Sequence, residues 1–230
     1  MPDQESVTLK EHGGLVQRPA GEAGIGYFTT TPVMHGKLLL VEPLLFAIQD
    51  TVQDEGFEGQ VLEAYEKLSR GKKKAYIKLK ENSSRLSPES EALIEKNPIE
   101  LQEYKNKSKS FQTRIKCRIV RIFLTNLYVL PNEEGKTQNV VFLRASRFNN
   151  SCTPNAHVDL CEKSRTIYVH SVMNLKKGDE VRISYTNYLL SHASRREQLG
   201  FDCDCKTCKS DHREASDARR GRLSEIIKEV

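Results

Sequence analysis

Three cysteines fall within six positions near the C-terminal end, as Cys203-x-Cys205-x2-Cys208. Thiols this close do not readily meet disulfide geometry among themselves. They do suit a single tetrahedral Zn2+ at about 2.3 Å per sulfur. Such an ion would release protons from the thiols and order the segment around it. Three thiolates leave one tetrahedral position to fill. His212 is the nearest candidate in sequence, and Cys152 and Cys161 are distant ones.

The remaining composition narrows the setting. The first residues show no basic region followed by an apolar one, so no secretory signal is expected. A reducing compartment follows, where a tight cysteine cluster more often means metal than disulfide. No apolar run approaches the ~20 residues that span a bilayer, so no membrane partner is expected. At 230 residues the chain suits one large domain or one domain with an insert. Its 36 Lys and Arg against 31 Asp and Glu leave +5, mildly basic. A dedicated nucleic-acid binder carries a denser patch, so direct nucleic-acid contact is not expected.

The pattern along the chain is mixed. Residues 1–22 read as a polar arm, with an edge strand open near Gly14–Gln17. Gly24-Ile25-Gly26-Tyr27-Phe28 reads as a strand and Lys37–Glu42 as a second, closed by Pro43. Val61, Leu62, Tyr65 and Leu68 lie at helical spacing, and Lys72-Lys73-Lys74 reads as a solvated helix end. Glu91–Gln112 reads as helix broken near Asn97-Pro98. From Thr113 the Ile, Val and Phe of Cys117–Leu130 read as strand. Thr166–Val169 and Val181–Tyr185 are further strands, and His192–Gln198 is helical. In the tail, Leu223, Ile226 and Ile227 form the apolar stripe of a helix.

Two other segments carry chemistry. Asn149-Asn150-Ser151-Cys152-Thr153-Pro154-Asn155 is a loop dense in hydrogen-bonding groups. Gly178-Asp179-Glu180 opens a strand that ends at Tyr185. The pair Gly24 and Gly26 lacks the third glycine and the following helix of a dinucleotide fingerprint, and no P-loop lysine follows.

In this order, the Gly-x-Gly strand, the Asn-x-Ser-Cys-x-Pro-Asn loop, the Gly-x-Glu strand ending in tyrosine and the Cys-x-Cys-x2-Cys tail resemble the SET-domain lysine methyltransferases. The chain looks closest to their SMYD-like, split-SET branch, without its MYND finger, since no cysteine precedes Cys117. The resemblance implies an α+β, mainly β fold: a SET-type β-clip of small sheets with a helical insert and a post-SET zinc segment. Residues 23–202 would be the SET domain, with the insert at about 50–112. Residues 203–212 would be the post-SET segment and 213–230 a C-terminal helix.

The implied activity is transfer of a methyl group from S-adenosylmethionine to a protein lysine, on histone or non-histone substrates. The alternative is a SET-fold module that binds S-adenosylmethionine or a peptide with little or no turnover. Tyr185 would be the catalytic residue. Gly24, Ile25, Gly26, Asn126, Asn149, Asn150, Tyr185 and Phe201 would bind the cofactor, with Phe201 stacking on adenine. Family precedent makes Cys152 the fourth ligand of one structural Zn2+, beside Cys203, Cys205 and Cys208. Asn150 stands where the family usually has His, and the stretch before Phe201 is short by a few residues. The resemblance further implies a monomer in the nucleus, the cytoplasm or both.

Overall fold

The structure is a computed structural model, and it describes residues 11–12, 14–49, 56–131, 137–211 and 213–228. In chain order the strands and helices are β1 (Glu11–His12), β2 (Leu15–Pro19), β3 (Ile25–Thr29), β4 (Leu38–Pro43), β5 (Phe46–Ile48), α1 (Phe57–Glu66), α2 (Arg70–Tyr76), α3 (Pro88–Lys96) and α4 (Lys109–Asn126). Then follow β6 (Tyr128–Pro131), β7 (Thr137–Val141), β8 (Asn149–Asn150), β9 (Ala156–Cys161), β10 (Thr166–Ser171), β11 (Glu180–Ile183), α5 (His192–Leu199), α6 (Lys206–Lys209) and α7 (Arg213–Lys228). Small sheets dominate, with strand orders β1-β2-β3-β11-β8, β4-β10-β9 and β5-β7-β6. The chain divides into two compact units, residues 1–41, 147–159 and 168–230, and residues 42–146 and 160–167.

The first unit is built on the five-stranded sheet. β3 is its centre: Tyr27 faces Val181 of antiparallel β11 and Gln17 of β2. β11 also pairs in parallel with β8, Arg182 opposite Asn149 and Ile183 opposite Asn150. The part of the N-terminal arm from Leu15 to Pro19 is therefore a strand, as the open alternative had it, but it is paired on both sides, with β1 and β3, and is not at the sheet's edge.

The second unit is a helical core on a small sheet. Phe57, Val61, Leu62 and Tyr65 form the buried face of α1, as the spacing predicts. Phe46 stacks on Phe123 at 5.5 Å, and Tyr76 gives its hydroxyl to the Ile119 carbonyl at 2.9 Å. Ser87 caps α3, which ends at Lys96; the break expected near Asn97-Pro98 is there, but α-helix resumes only with α4 at Lys109. The lysine run is only partly solvated: Lys72 and Lys74 are exposed, while buried Lys73 pairs with Glu66 at 2.8 Å.

Two readings of local pattern are corrected. Most of Cys117–Leu130 is not strand, because α4 runs to Asn126. Its apolar residues are recruited by burial: Cys117, Ile119, Val120, Ile122 and Phe123 pack into the unit's core, and that packing overrides the context-dependent strand preference of Ile, Val and Phe. The polar residues Arg114, Arg118, Arg121 and Thr125 recur every three or four positions, the mark of a helix stripe. In α7 the apolar stripe is solvent-facing, with Leu223, Ile226 and Ile227 each at least half exposed. Ser216 and Arg220, one turn apart, are the buried face instead.

In the second unit, buried Glu42 accepts backbone N–H bonds from Leu143, Arg144 and Ala145 at 2.8–3.1 Å. Burial nonetheless holds its carboxyl above the ordinary range, outweighing those bonds.

Candidate active site and metal centre

The first unit gathers most of the expected site residues. β11 delivers Tyr185 just beyond its end. The Tyr185 hydroxyl donates to the Phe148 carbonyl at 2.6 Å, and its backbone N–H donates to Asn150 Oδ1 at 2.9 Å. The phenol is thus fixed at both ends although the residue is 47 % exposed. Burial of the hydroxyl, and then the negative Glu180, push its pKa up, so it stays protonated.

The asparagine loop is held by its own side chains. Asn149 Nδ2 donates to Glu180 Oε1 at 2.7 Å. Asn155 brackets β11, donating to the Glu180 carbonyl and accepting from Arg182 N–H, both at 2.8 Å. Arg182 then links Glu180 at 2.6 Å to Asp204 at 2.5 Å. This chain of polar contacts runs from the loop to the cysteine segment.

The glycine strand contributes in two ways. Gly24 has φ of +91° with open space where a Cβ would point, a conformation that glycine adopts freely. At Gly26 a Cβ would lie 2.5 Å from Glu180 Oε1 and 2.7 Å from Asn149 Nδ2. Gly26 is therefore needed for packing of the site's own polar pair. Ile25 between them is half-buried.

Phe201 follows α5, whose C-terminal Gly200 takes φ of 71° and reverses the chain. Its ring is 45 % exposed and lines an open hollow of about 560 Å³ with His192, Arg196 and Asp202. That leaves an apolar face free for a flat ring. Asn126 lies in the other unit, at the last position of α4, where its Nδ2 donates to the Lys80 and Ile122 carbonyls at 2.8 and 2.7 Å.

Cys152, Cys203, Cys205 and Cys208 converge: their sulfurs all lie within 4.8 Å of one another, and none of the four exceeds 9 % exposure. A tetrahedral ion with 2.3 Å bonds sets sulfurs about 3.8 Å apart, so the cluster fits one Zn2+ with a small contraction. The donor set of four soft sulfurs suits zinc over hard cations. Hydrogen bonds from Cys152 and Cys203 hold the Cys205 thiol well below the ordinary range. Of the alternatives for the fourth position, Cys161 is outside the group. His212 lies outside the described residues.

Three polar features around the cluster went unread in the sequence. Asn150 Nδ2 donates to Cys203 Sγ at 3.3 Å, so this residue joins the cysteine cluster to Tyr185. Thr153 and Thr207 share a hydrogen bond of 2.6 Å, tying the asparagine loop to the cysteine segment. Buried Arg195 and Arg220 both reach Cys152. Nothing local flagged these two arginines, because their partners are 43 and 68 residues away.

The comparisons with known proteins agree with this geometry. The SET domain family model matches residues 24–186, which is most of the chain. The protein belongs to the SET domain family, and its small sheets, helices and clustered cysteines are those of a SET fold with a C-terminal site fit for zinc. It is similar to histone-lysine N-methyltransferase set5 of Schizosaccharomyces pombe, at 31 % identity over 44 % of this chain and 34 % of that protein. It is similar to SET5 of Saccharomyces cerevisiae, also a histone-lysine N-methyltransferase, at 34 % identity over 29 % of this chain and 13 % of that one. A SET and MYND domain-containing protein of Dictyostelium discoideum is 35 % identical over 41 % of this chain and 31 % of its own length. The matched region spans about a third or less of these relatives. No helix among the described residues is long and apolar enough to cross a membrane.

Proposed function

We propose that this SET domain transfers a methyl group to the ε-amine of a lysine in a protein substrate, histone or non-histone, with S-adenosylmethionine as donor. The observation that carries the reading is the doubly anchored Tyr185. Its hydroxyl hydrogen is given to the Phe148 carbonyl, which leaves the oxygen's lone pairs to accept an N–H from the incoming amine.

When bound, the donor supplies an electrophilic methyl carbon on a positively charged sulfonium. The attacking lysine must be neutral, against an ordinary pKa of about 10.4. An apolar binding site and the positive charge of a bound donor would both push it down. Tyr185 would orient the amine by accepting its N–H, and alignment of this kind would supply most of the rate. Gly24, Ile25, the backbone at Asn149 and Asn150 and the Phe201 ring are the residues that would hold the donor. The four cysteines would hold one structural Zn2+ through Cys152, Cys203, Cys205 and Cys208.

The family match and the naming of two relatives as histone-lysine N-methyltransferases support this function. The helices between β5 and β6 support the split-SET reading of the insert. We read the protein as an intracellular monomer acting in nucleus or cytoplasm.

A second reading, a donor-binding module with weak turnover, is favoured by one feature. The Asn150 side chain, where the family usually has His, is spent on Tyr185 and Cys203. Calorimetric titration with S-adenosylmethionine, followed by tritium-methyl transfer to histones and to whole-cell protein, separates the two. Binding with transfer supports the enzyme; binding without transfer supports the module; absence of both rejects the reading.

A further inference from the structure

We propose that Arg195 is a positioning residue of the metal centre, holding Cys152 as a ligand and offsetting the charge of a zinc tetrathiolate. The inference rests on the zinc reading of the four cysteines. Arg195 sits in α5 and is only 1 % exposed, the bulkiest of the fully buried side chains. Its Nε donates to Cys152 Sγ at 3.2 Å. Its remaining nitrogens reach the Leu190 carbonyl and, at 3.3 Å, Asp217 Oδ1 of α7. Asp217 is fixed in turn by the His192 N–H at 2.7 Å.

A second buried guanidinium lies alongside. Arg220 of α7 donates to the Cys152 carbonyl at 2.8 Å, to Ser216 Oγ at 3.2 Å and to the Tyr188 carbonyl. One cysteine is therefore gripped at its sulfur by one arginine and at its carbonyl by another.

The charge balance gives the reason. Buried cations are costly unless paired, and among the described residues Asp217 is the one carboxylate bonded to these two arginines. Four thiolates around Zn2+ carry a net charge of −2, which answers the excess positive charge. An N–H donated to a metal-bound sulfur also disperses its charge and fixes its direction. Partners of this kind typically change metal affinity 10–100-fold when removed. α7, which lies beyond the last cysteine, is on this reading part of the metal site.

The test uses the full chain loaded with one equivalent of Zn2+, with affinity read by competition against a chromophoric chelator. Co2+ substitution provides a second readout through its sulfur-to-metal charge-transfer band. Arg195→Gln is expected to weaken zinc roughly 10–100-fold and alter that band, with Arg195→Lys restoring part of the loss. A folded Arg195→Gln that holds zinc as tightly as the parent, with the same cobalt spectrum, overturns the inference. Should Arg195→Gln fail to fold, Asp217→Asn leaves the arginine in place but loosens it. A several-fold weaker site then supports the proposal, and an unchanged site overturns it. If the parent itself takes up neither zinc nor cobalt, the metal reading falls and this inference with it; tight parental binding with indifferent variants sinks the inference alone.

Discussion

Asn150 hydrogen-bonds the sulfur of Cys203 at 3.3 Å with the same amide group whose oxygen receives the Tyr185 backbone N–H at 2.9 Å. One side chain thus couples the metal centre to the candidate catalytic tyrosine. Replacing it with alanine leaves a backbone donor unpaired and strips a donor from Cys203. Asn150→Ala is expected to cost about 1–3 kcal/mol and lower Tm by roughly 3–10 °C. Thermal melts of the zinc-loaded protein check this. Zinc affinity should fall in the same variant, and an undiminished affinity would contradict the coupling.

Removal of the distant ligand gives a sharper outcome. The wild type should bind one Zn2+ per chain by elemental analysis. A strong chelator should lower its Tm, because metal binding energy is folding energy here. Cys152→Ser should lose most of that affinity, and its melting curve should barely respond to the chelator. A Cys152→Ser protein that still retains one tightly held zinc would exclude Cys152 as a ligand.

Tyr185→Phe removes the oxygen proposed to orient the amine, and also the bond to Phe148. Turnover is expected to fall about 100-fold or more, the scale on which misalignment acts. Donor binding measured by calorimetry should change little, since the ring remains. Full activity in a folded Tyr185→Phe protein would remove this tyrosine from the mechanism.

Glu42 gives a pH-dependent prediction. Its carboxyl is held above the ordinary range, so the folded state takes up its proton more readily than the unfolded chain. The stability it contributes is complete below the unfolded value, about 4.3, and declines as pH rises through the folded one. Glu42→Gln offers one acceptor to three N–H groups, and should be less stable by about 1–3 kcal/mol. The Tm gap between parent and variant should be widest near pH 4 and narrow towards neutral pH. A gap that widens instead would reverse the sign assigned to Glu42.

The cysteine spacing and the strand that leads to Tyr185 were legible because each is a local signal carried by few residues; the strand itself stops at Ile183. The convergence of Cys152 with the distant three was legible only through family resemblance, since spacing alone left His212 and Cys161 open. α4 was misread because a run of Ile, Val and Phe satisfies strand preference. Only the recurrence of Arg114, Arg118 and Arg121 betrays its helical period. Arg195, Arg220 and Glu42 were invisible because each gains its role from partners on remote elements. The same holds for the packing of Gly26 against Glu180 and Asn149 across the sheet.

Cys152 and Cys203 are 51 residues apart, and all strands but the first eight lie between them. An ion joining them closes a long loop, which by polymer arithmetic for a cross-link of this span disfavours the unfolded chain by about 4 kcal/mol. Because the other three sulfurs follow all the strands of the described residues, a chain emerging from the ribosome would reach this closure only after those strands. Metal capture would then act as a checkpoint, sealing the sheets only after β9, β10 and β11 have been made.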